Sequence, residues 1–345
     1  MKYGLALAGG GTRGAFEVGV WEALTELGVE IGAITGTSIG AVNGAVFASG
    51  KDAKALWENI NAEDIAEFEG EDMFSLPTLI KTLKKVPEGG VDASAFKTLL
   101  KSCINEENVR KSGIDYGLCT YRMDTKKGVE LFIEDIPQGK LVDFVHASAN
   151  FPIFKPATID GIEYRDGALR NNLPVNMLIS RGYDSIISVS IKGVGVVRSI
   201  DRCGVNIIEI NCKTPEVGIM DFSREGIKDT IKSGYYECMR VFGKYSGRHY
   251  PIENESYRQA RRIYGPDIIR GLEDAALMCG TDRYRAYSFE ELRDGVLNSY
   301  KQNRRLRLMT AAISKEYAGR GALDSLGKLF RAANAIVYLK RRKTQ

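Results

Sequence analysis

Apolar residues come in short runs punctuated by glycine through the first fifty positions. Residues 4–8 (Gly4, Leu5, Ala6, Leu7, Ala8) are long enough for one buried strand and too short for a helix. After a glycine-rich stretch, Phe16, Val20, Leu24 and Leu27 recur at helical spacing, and Gly28 is a suitable stop. A second run, Ile31 to Ile34, predicts another strand, and small apolar residues to about Ser49 predict another helix. Strand–helix–strand–helix at this density predicts a parallel sheet with helices on its faces. Residues 52–104 read as helical and acidic, with a loop around Pro87 to Gly90. Strands are expected near 116–122, 129–133 and 161–165. A helix is expected over 139–149, ending before Pro152, and another starts near Val175. Two further apolar strands fall at 185–191 and 206–210, and beyond about residue 220 the pattern is helical. The expected division is an α/β unit over 1–205 and a mainly helical region over 206–345.

Composition narrows the class. The chain has 345 residues, 44% of them hydrophobic, as in ordinary globular proteins. No apolar run approaches the length of a membrane-spanning helix. The apolar N-terminus is too short for a signal peptide and reads as the first core strand. Six cysteines (103, 119, 203, 212, 238, 279) are scattered without a C-x-x-C pair. They read as reduced thiols of a cytoplasmic protein, with no zinc site. Charge is uneven: residues 301–345 carry 12 Lys/Arg against 2 Asp/Glu, a net of +10, and the rest carries 36 against 42, a net of −6. A basic end of this kind suits an anionic surface.

Candidate chemistry gathers at three places. Gly36-Thr37-Ser38-Ile39-Gly40 lies where the second strand meets its helix, the layout of a nucleophile elbow. There a serine stands at a helix N-terminus, where backbone N–H groups and the helix dipole favour negative charge. A serine hydroxyl needs a base, yet the chain has only His146 and His249, and neither lies in a catalytic pattern. The run Gly9-Gly10-Gly11-Thr12-Arg13-Gly14 offers backbone N–H groups that a substrate oxyanion can approach closely. Arg13 adds a charge suited to a phosphate or to locking that loop. Asp166-Gly167-Ala168 follows a short strand and places a carboxylate that can take the serine proton directly. Its ordinary pKa of about 3.9 is low for a base, and burial would raise it. Gly9, Gly11 and Gly14 also satisfy a dinucleotide-binding spacing, but that reading needs an acidic residue at the end of the second strand. Thr35-Gly36-Thr37-Ser38 stands there instead, and Glu30 lies at the strand's start.

Together the three motifs, in this order, resemble the patatin-like phospholipase family, over about residues 3–195. The segment Ala147-Ser148-Ala149-Asn150-Phe151-Pro152-Ile153-Phe154-Lys155-Pro156 is also similar to the family's stretch ahead of its aspartate. The third motif departs slightly, reading D-G-A where many members have D-G-G. The resemblance implies a three-layer α/β/α fold with a mainly parallel sheet and a Ser–Asp dyad that works without histidine. It implies Ser38 as nucleophile, Asp166 as base, and Gly9, Gly10, Gly11 and Thr12 as the oxyanion loop. Arg13, Gly14, Gly36, Gly40 and Gly167 support them. It implies no metal and no cofactor, and a phospholipid or other acyl-ester lipid as substrate. An acyltransferase using the same serine is the nearest alternative, although such enzymes often carry histidine where Thr37 stands. A non-catalytic lipid- or nucleotide-binding module is the more distant one. Residues 323–343 have the pattern of a basic amphipathic helix. It is expected to pack on the body with a solvated tail; the alternative is peripheral docking on an anionic membrane. The Arg/Tyr stretch 283–287 has no accompanying nucleic-acid motif, so no nucleic-acid partner is expected.

Overall fold

A computed structural model of the chain describes residues 2–60, 90–213, 215–316 and 327–343. The acidic stretch expected over 52–104 therefore lies largely outside the described residues. The chain divides into two compact units, Met1–Val241 and Phe242–Gln345.

In the first unit the order is β1 (Tyr3–Leu7), α1 (Ala15–Glu26), β2 (Ile31–Thr37), α2 (Ile39–Ala48), α3 (Ala53–Asn59), α4 (Ser94–Cys103), α5 (Glu106–Lys111), β3 (Asp115–Arg122), β4 (Lys127–Phe132) and α6 (Leu141–Ser148). It continues with β5 (Ala157–Ile159), β6 (Ile162–Asp166), α7 (Val175–Ser180), β7 (Ser185–Ser190), β8 (Asn206–Asn211) and α8 (Arg224–Val241). The sheet runs β5-β6-β3-β2-β1-β7-β8, with β4 also on β3. Strands β3, β2, β1, β7 and β8 are parallel, and β4, β5 and β6 add antiparallel pairings. Successive side chains of a strand face opposite ways, and β1 uses both faces. Gly4 lies against Leu178 of α7, while Leu7 lies near Gly44 of α2. Helices on both faces of a mainly parallel sheet make the α/β/α layering.

The register around β3 positions the site. β4 pairs with β3 along Gly117–Arg122, which fills one edge of that strand. β2 takes the other edge and ends with Thr37 beside Cys119. β6 continues along that same edge, with Asp166 beside Thr120. Two consecutive residues of β3 thus bring the end of β2 next to the end of β6, although Thr37 and Asp166 are far apart in sequence.

The expected division at residue 205 falls inside the first unit. β8 pairs with β7 along its whole length, and α8 lies against α1. A Cβ on Gly19 of α1 would stand 1.8 Å from the Ile231 carbonyl oxygen, and one on Gly234 of α8 would stand 1.9 Å from that of Phe16. Two glycines without side chains let these helices meet backbone to backbone, so 206–241 belongs with the sheet.

The second unit holds a two-residue antiparallel ladder, β9 (Tyr245–Ser246) with β10 (Ile252–Glu253). Its helices are α9 (Asn254–Tyr264), α10 (Pro266–Met278), α11 (Phe289–Ser299), α12 (Arg304–Glu316) and α13 (Lys328–Lys343). Tyr250, Leu272, Phe289 and Leu292 are in its core. Ser288 caps α11, with Glu291 returning a bond to the Ser288 N–H, the reciprocal arrangement that satisfies two otherwise unpaired donors. The apolar face of α13, including Ala332, Ala335 and Ile336, is buried in this core, while Lys340, Arg341 and Arg342 stay exposed. The unit carries 21 Lys/Arg against 11 Asp/Glu, a net of +10, and the first unit carries 27 against 33, a net of −6.

Candidate active site

Ser38 closes β2 and opens α2 with φ 56° and ψ −126°. Left-handed backbone is costly for a residue with a Cβ and persists where the surroundings impose it. Gly40 shows the constraint: a Cβ there would stand 2.5 Å from the Leu7 carbonyl oxygen. The turn is held from below as well. The Ser38 N–H donates to Ser148 Oγ at 3.0 Å, and the Ser148 hydroxyl donates to the Cys119 carbonyl at 2.6 Å.

The Ser38 hydroxyl donates to Asp166 Oδ2 at 2.7 Å. The other carboxylate oxygen, Oδ1, accepts the Ala168 N–H at 2.8 Å. Asp166 is 1% exposed. Burial raises its pKa to about 6, against the opposing pull of the Ala168 and Ser38 hydrogen bonds. Ala168 is not among the residues with left-handed backbone, so D-G-A satisfies this turn as well as D-G-G does.

The glycine loop is fixed by carbonyls from distant segments. Gly9 N–H donates to the Asn172 carbonyl at 3.1 Å and Thr12 N–H to the Ile219 carbonyl at 2.9 Å. These two N–H groups, expected among the oxyanion donors, therefore anchor the loop. Gly10 and Gly11 are left, among the described residues, as the loop N–H groups without a carbonyl partner. Gly11 has φ 60°, and a Cβ on it would stand 2.1 Å from the Ile219 carbonyl oxygen. The Thr12 hydroxyl donates to the Gly218 carbonyl. Arg13 donates through Nε to the Val217 carbonyl at 3.2 Å and through Nη1 to the Lys192 carbonyl at 2.6 Å. Of the two roles expected for Arg13, this geometry matches locking the loop.

Ser38, Asp166 and the glycine loop line one pocket. Its remaining walls are mostly apolar: Trp57, Phe96, Phe151 and Phe154, with Val194, Ile219, Met220 and Phe222 from later in the chain.

The family model for patatin-like phospholipases matches residues 5–179, about half of the chain. The chain belongs to the patatin-like phospholipase family. Over 190 residues it is 28% identical to patatin-like phospholipase domain-containing protein 7 of Rattus norvegicus, covering 54% of this chain and 13% of that protein. It is 30% identical over 190 residues to an uncharacterized NTE family protein of Mycobacterium tuberculosis, covering 55% of this chain and 30% of that one. It is 29% identical over 202 residues to lysophospholipase nte1 of Aspergillus terreus, covering 55% of this chain and 12% of that one. The shared stretch is thus under a third of each relative's length.

In this patatin-like chain neither histidine is hydrogen-bonded to Ser38 or Asp166. His146 is buried on α6 beside Phe96, with ring centroids 6.1 Å apart. Burial, helped by Lys97, lowers its pKa to about 4. His249 lies in a loop of the second unit, whose N–H groups at Arg248, His249 and Tyr250 all donate to Glu273 Oε1. Among the described residues no three His, Cys, Asp or Glu side chains gather as they would around a metal. All six cysteines are free. Among the described residues no helix is long and apolar enough to cross a membrane.

Three parts of this site carry no signal of their own in the sequence. Ser148 lay inside the similar segment, but nothing local marked it as the acceptor under the elbow. Asn172, whose Nδ2 donates to the Gly9 carbonyl at 3.2 Å, follows Asp166 without a motif of its own. The clamp over 217–222 carries no sequence signal, because its contribution is mainly backbone carbonyls.

Proposed function

We propose that this protein is a serine acyl hydrolase acting on lipid esters through a Ser38–Asp166 dyad. The observation that carries the reading is the 2.7 Å bond from the Ser38 hydroxyl to Asp166, at a strained turn in an apolar pocket. Asp166 accepts the hydroxyl proton as Oγ attacks the ester carbonyl carbon. The carbonyl oxygen becomes an oxyanion facing the Gly10 and Gly11 N–H groups, donors fixed in place before reaction. Collapse breaks the ester C–O bond, and Asp166 returns its proton to the departing alcohol. A water then gives its proton to Asp166 and attacks the acyl-enzyme, releasing the fatty acid and restoring the Ser38 hydroxyl. Burial supports this assignment, because a carboxyl with a pKa near 6 is ionised at neutral pH and still a stronger base than an exposed aspartate. The aromatic and aliphatic walls suit an acyl chain better than a polar substrate.

The net charge of +10 on the second unit supports peripheral attraction to an anionic lipid surface. The apolar face of α13 is buried in its own unit, so that attraction is assigned to surface charge.

The test is product analysis on a panel of phospholipids, lysophospholipids and neutral glycerides. Free fatty acid released by the wild-type chain and absent with Ser38→Ala is the expected result. Fatty acid release by Ser38→Ala at the wild-type rate would remove Ser38 from the mechanism. Transfer of the acyl group to an added alcohol with no free acid would make the enzyme a transferase.

A further inference from the structure

Eight large hydrophobic residues are exposed among the described residues, and four of them are Leu169, Val194, Val196 and Val197. These four belong to two segments tied together by backbone hydrogen bonds. The Val196 N–H donates to the Ala168 carbonyl at 2.8 Å, and the Asn172 N–H donates to the Val196 carbonyl at 2.6 Å. Gly195 sits so close that a Cβ on it would stand 2.7 Å from the Ala168 carbonyl oxygen. Residues 168–172 and 194–197 are therefore one hydrogen-bonded element, built directly on the turn that follows Asp166, with Ala168, Asn171 and Asn172 buried and Leu169, Arg170 and the valines on its exposed side.

The valines do not complete the core. β7 ends at Ser190, and Lys192 turns the chain out of the sheet with φ 53°. Beyond that turn Val194, Val196 and Val197 are 56%, 49% and 58% exposed. Val194 nonetheless lines the pocket holding Ser38, so the pocket edge runs into the patch. Contiguous exposed aliphatic surface of this kind marks an interaction site.

The border of the patch is basic. No Asp or Glu occurs over 167–183 or 185–200, while Arg170, Lys192 and Arg198 stand there. All three are exposed. Arg198 pairs with Glu130 at 3.4 Å. An aliphatic centre with a cationic border complements the interface of an anionic lipid layer, where acyl chains lie beneath phosphate groups.

We propose that Leu169, Val194, Val196 and Val197 form the surface by which this protein seats its pocket on an anionic lipid layer. An acyl chain leaving the layer then enters the pocket past Val194. The proposal rests on the reading of the protein as a lipid acyl hydrolase, and it adds where the lipid surface is met.

The experiment compares Val197→Asp and Val197→Trp with the wild-type full chain, since Val197 does not line the pocket. Three measurements are made: flotation with phosphatidylglycerol/phosphatidylcholine vesicles, hydrolysis of the same vesicles, and hydrolysis of a soluble short-chain p-nitrophenyl ester. Val197→Asp is expected to lower the vesicle-bound fraction and vesicle hydrolysis by about tenfold, with soluble-ester hydrolysis within about twofold of wild type. Val197→Trp is expected to bind at least as tightly as wild type, with blue-shifted emission on vesicles. Ser38→Ala is expected to bind vesicles like wild type and hydrolyse neither substrate. Vesicle binding by Val197→Asp equal to wild type would overturn the proposal. So would a dimeric wild type that Val197→Asp converts to a monomer without changing vesicle binding, because the patch would then face a second copy. A wild-type chain that hydrolyses neither substrate, yet loses vesicles on Val197→Asp, would defeat the hydrolase reading and leave the docking surface standing.

Discussion

Two stretches of the first unit meet around Ser38, and they differ in what they contribute. Residues 5–179, the stretch matched by the family model, bring the groups proposed to react: the elbow serine, the buried aspartate and the glycine loop. Residues 191–222 bring none of these. They supply carbonyls at Lys192, Val217, Gly218 and Ile219 that hold the loop, and side chains at Val194, Met220 and Phe222 that shape the pocket. The first stretch works through side-chain identity at fixed backbone positions. The second works through backbone geometry and volume. Substitutions in the first should therefore remove the reaction, and those in the second should weaken or redirect it.

The largest effects separate the two. Ser38→Ala should lower ester hydrolysis by roughly 10⁴-fold or more, because nothing else can form the acyl-enzyme. Asp166→Asn should cost about 10²–10⁴-fold, the usual worth of a positioned base. It should also raise the melting temperature at pH 8. A carboxyl raised from near 4 to about 6 by burial stabilises the fold only while protonated. That contribution is complete below the unfolded pKa and is lost as pH rises through about 6. The loss amounts to about 3 kcal/mol and is complete above about pH 6. Asparagine keeps an oxygen for the Ala168 N–H and removes the charge. Calorimetry at pH 8 and pH 4.5 checks this: a gain at the higher pH that shrinks to about a third at the lower one is expected.

On the proposed mechanism the same group should set the pH dependence of the wild-type reaction. As a base Asp166 must be ionised, so kcat/KM should fall tenfold per unit below a pKa of about 6. An exposed aspartate would place that limb near pH 4. His146, with its pKa near 4 and no bond to the dyad, should contribute nothing, and His146→Gln should keep the same limb. A limb displaced in that variant would return histidine to the mechanism.

This division also explains what the sequence made legible. Ser38, Asp166 and the glycine run are visible because each needs particular residue types at short spacing: glycine where the backbone is crowded, serine at the turn, and aspartate followed by glycine. The α/β layering was visible in the alternation of short apolar runs with helical spacing. The end of the unit was not. β8 is legible as a strand, but its pairing with β7 joins residues 21 positions apart, and the contact of α8 with α1 at Gly19 and Gly234 joins residues more than two hundred positions apart. The anchoring of Gly9 and Thr12 was hidden for a related reason. Whether a loop N–H is available or already bonded depends on which carbonyl folds back onto it, and every residue but its side chain offers the same carbonyl.

Arg13 joins the two regions, and its replacement should have an intermediate effect. Its guanidinium reaches the Val217 and Lys192 carbonyls at once, which a single ammonium cannot reproduce. Arg13→Lys should cost about 1–2 kcal/mol of stability and lower kcat several-fold, with KM little changed, because the loop is less well held when the oxyanion forms. Urea unfolding and steady-state kinetics measure the two effects. A large rise in KM for phospholipid, with kcat intact, would instead assign Arg13 to the substrate phosphate.

Met220 should give the smallest effect and one of a different kind. It lines the pocket from the second stretch, is partly exposed, and donates nothing to the reacting atoms. Shortening it to alanine enlarges the pocket without disturbing the elbow. Each methylene accommodated in an apolar pocket is worth about 1–3 kcal/mol of discrimination at most, and a flexible methionine side chain yields less because it already adjusts. Met220→Ala should therefore shift preference toward longer or bulkier acyl chains by about two- to tenfold, with total turnover on short esters near wild type. Competition between esters of two chain lengths in one reaction reads the ratio directly. Equal loss on both chain lengths would place Met220 with the groups that position the reaction, and the contrast between a reacting stretch and a shaping stretch would fail at that residue.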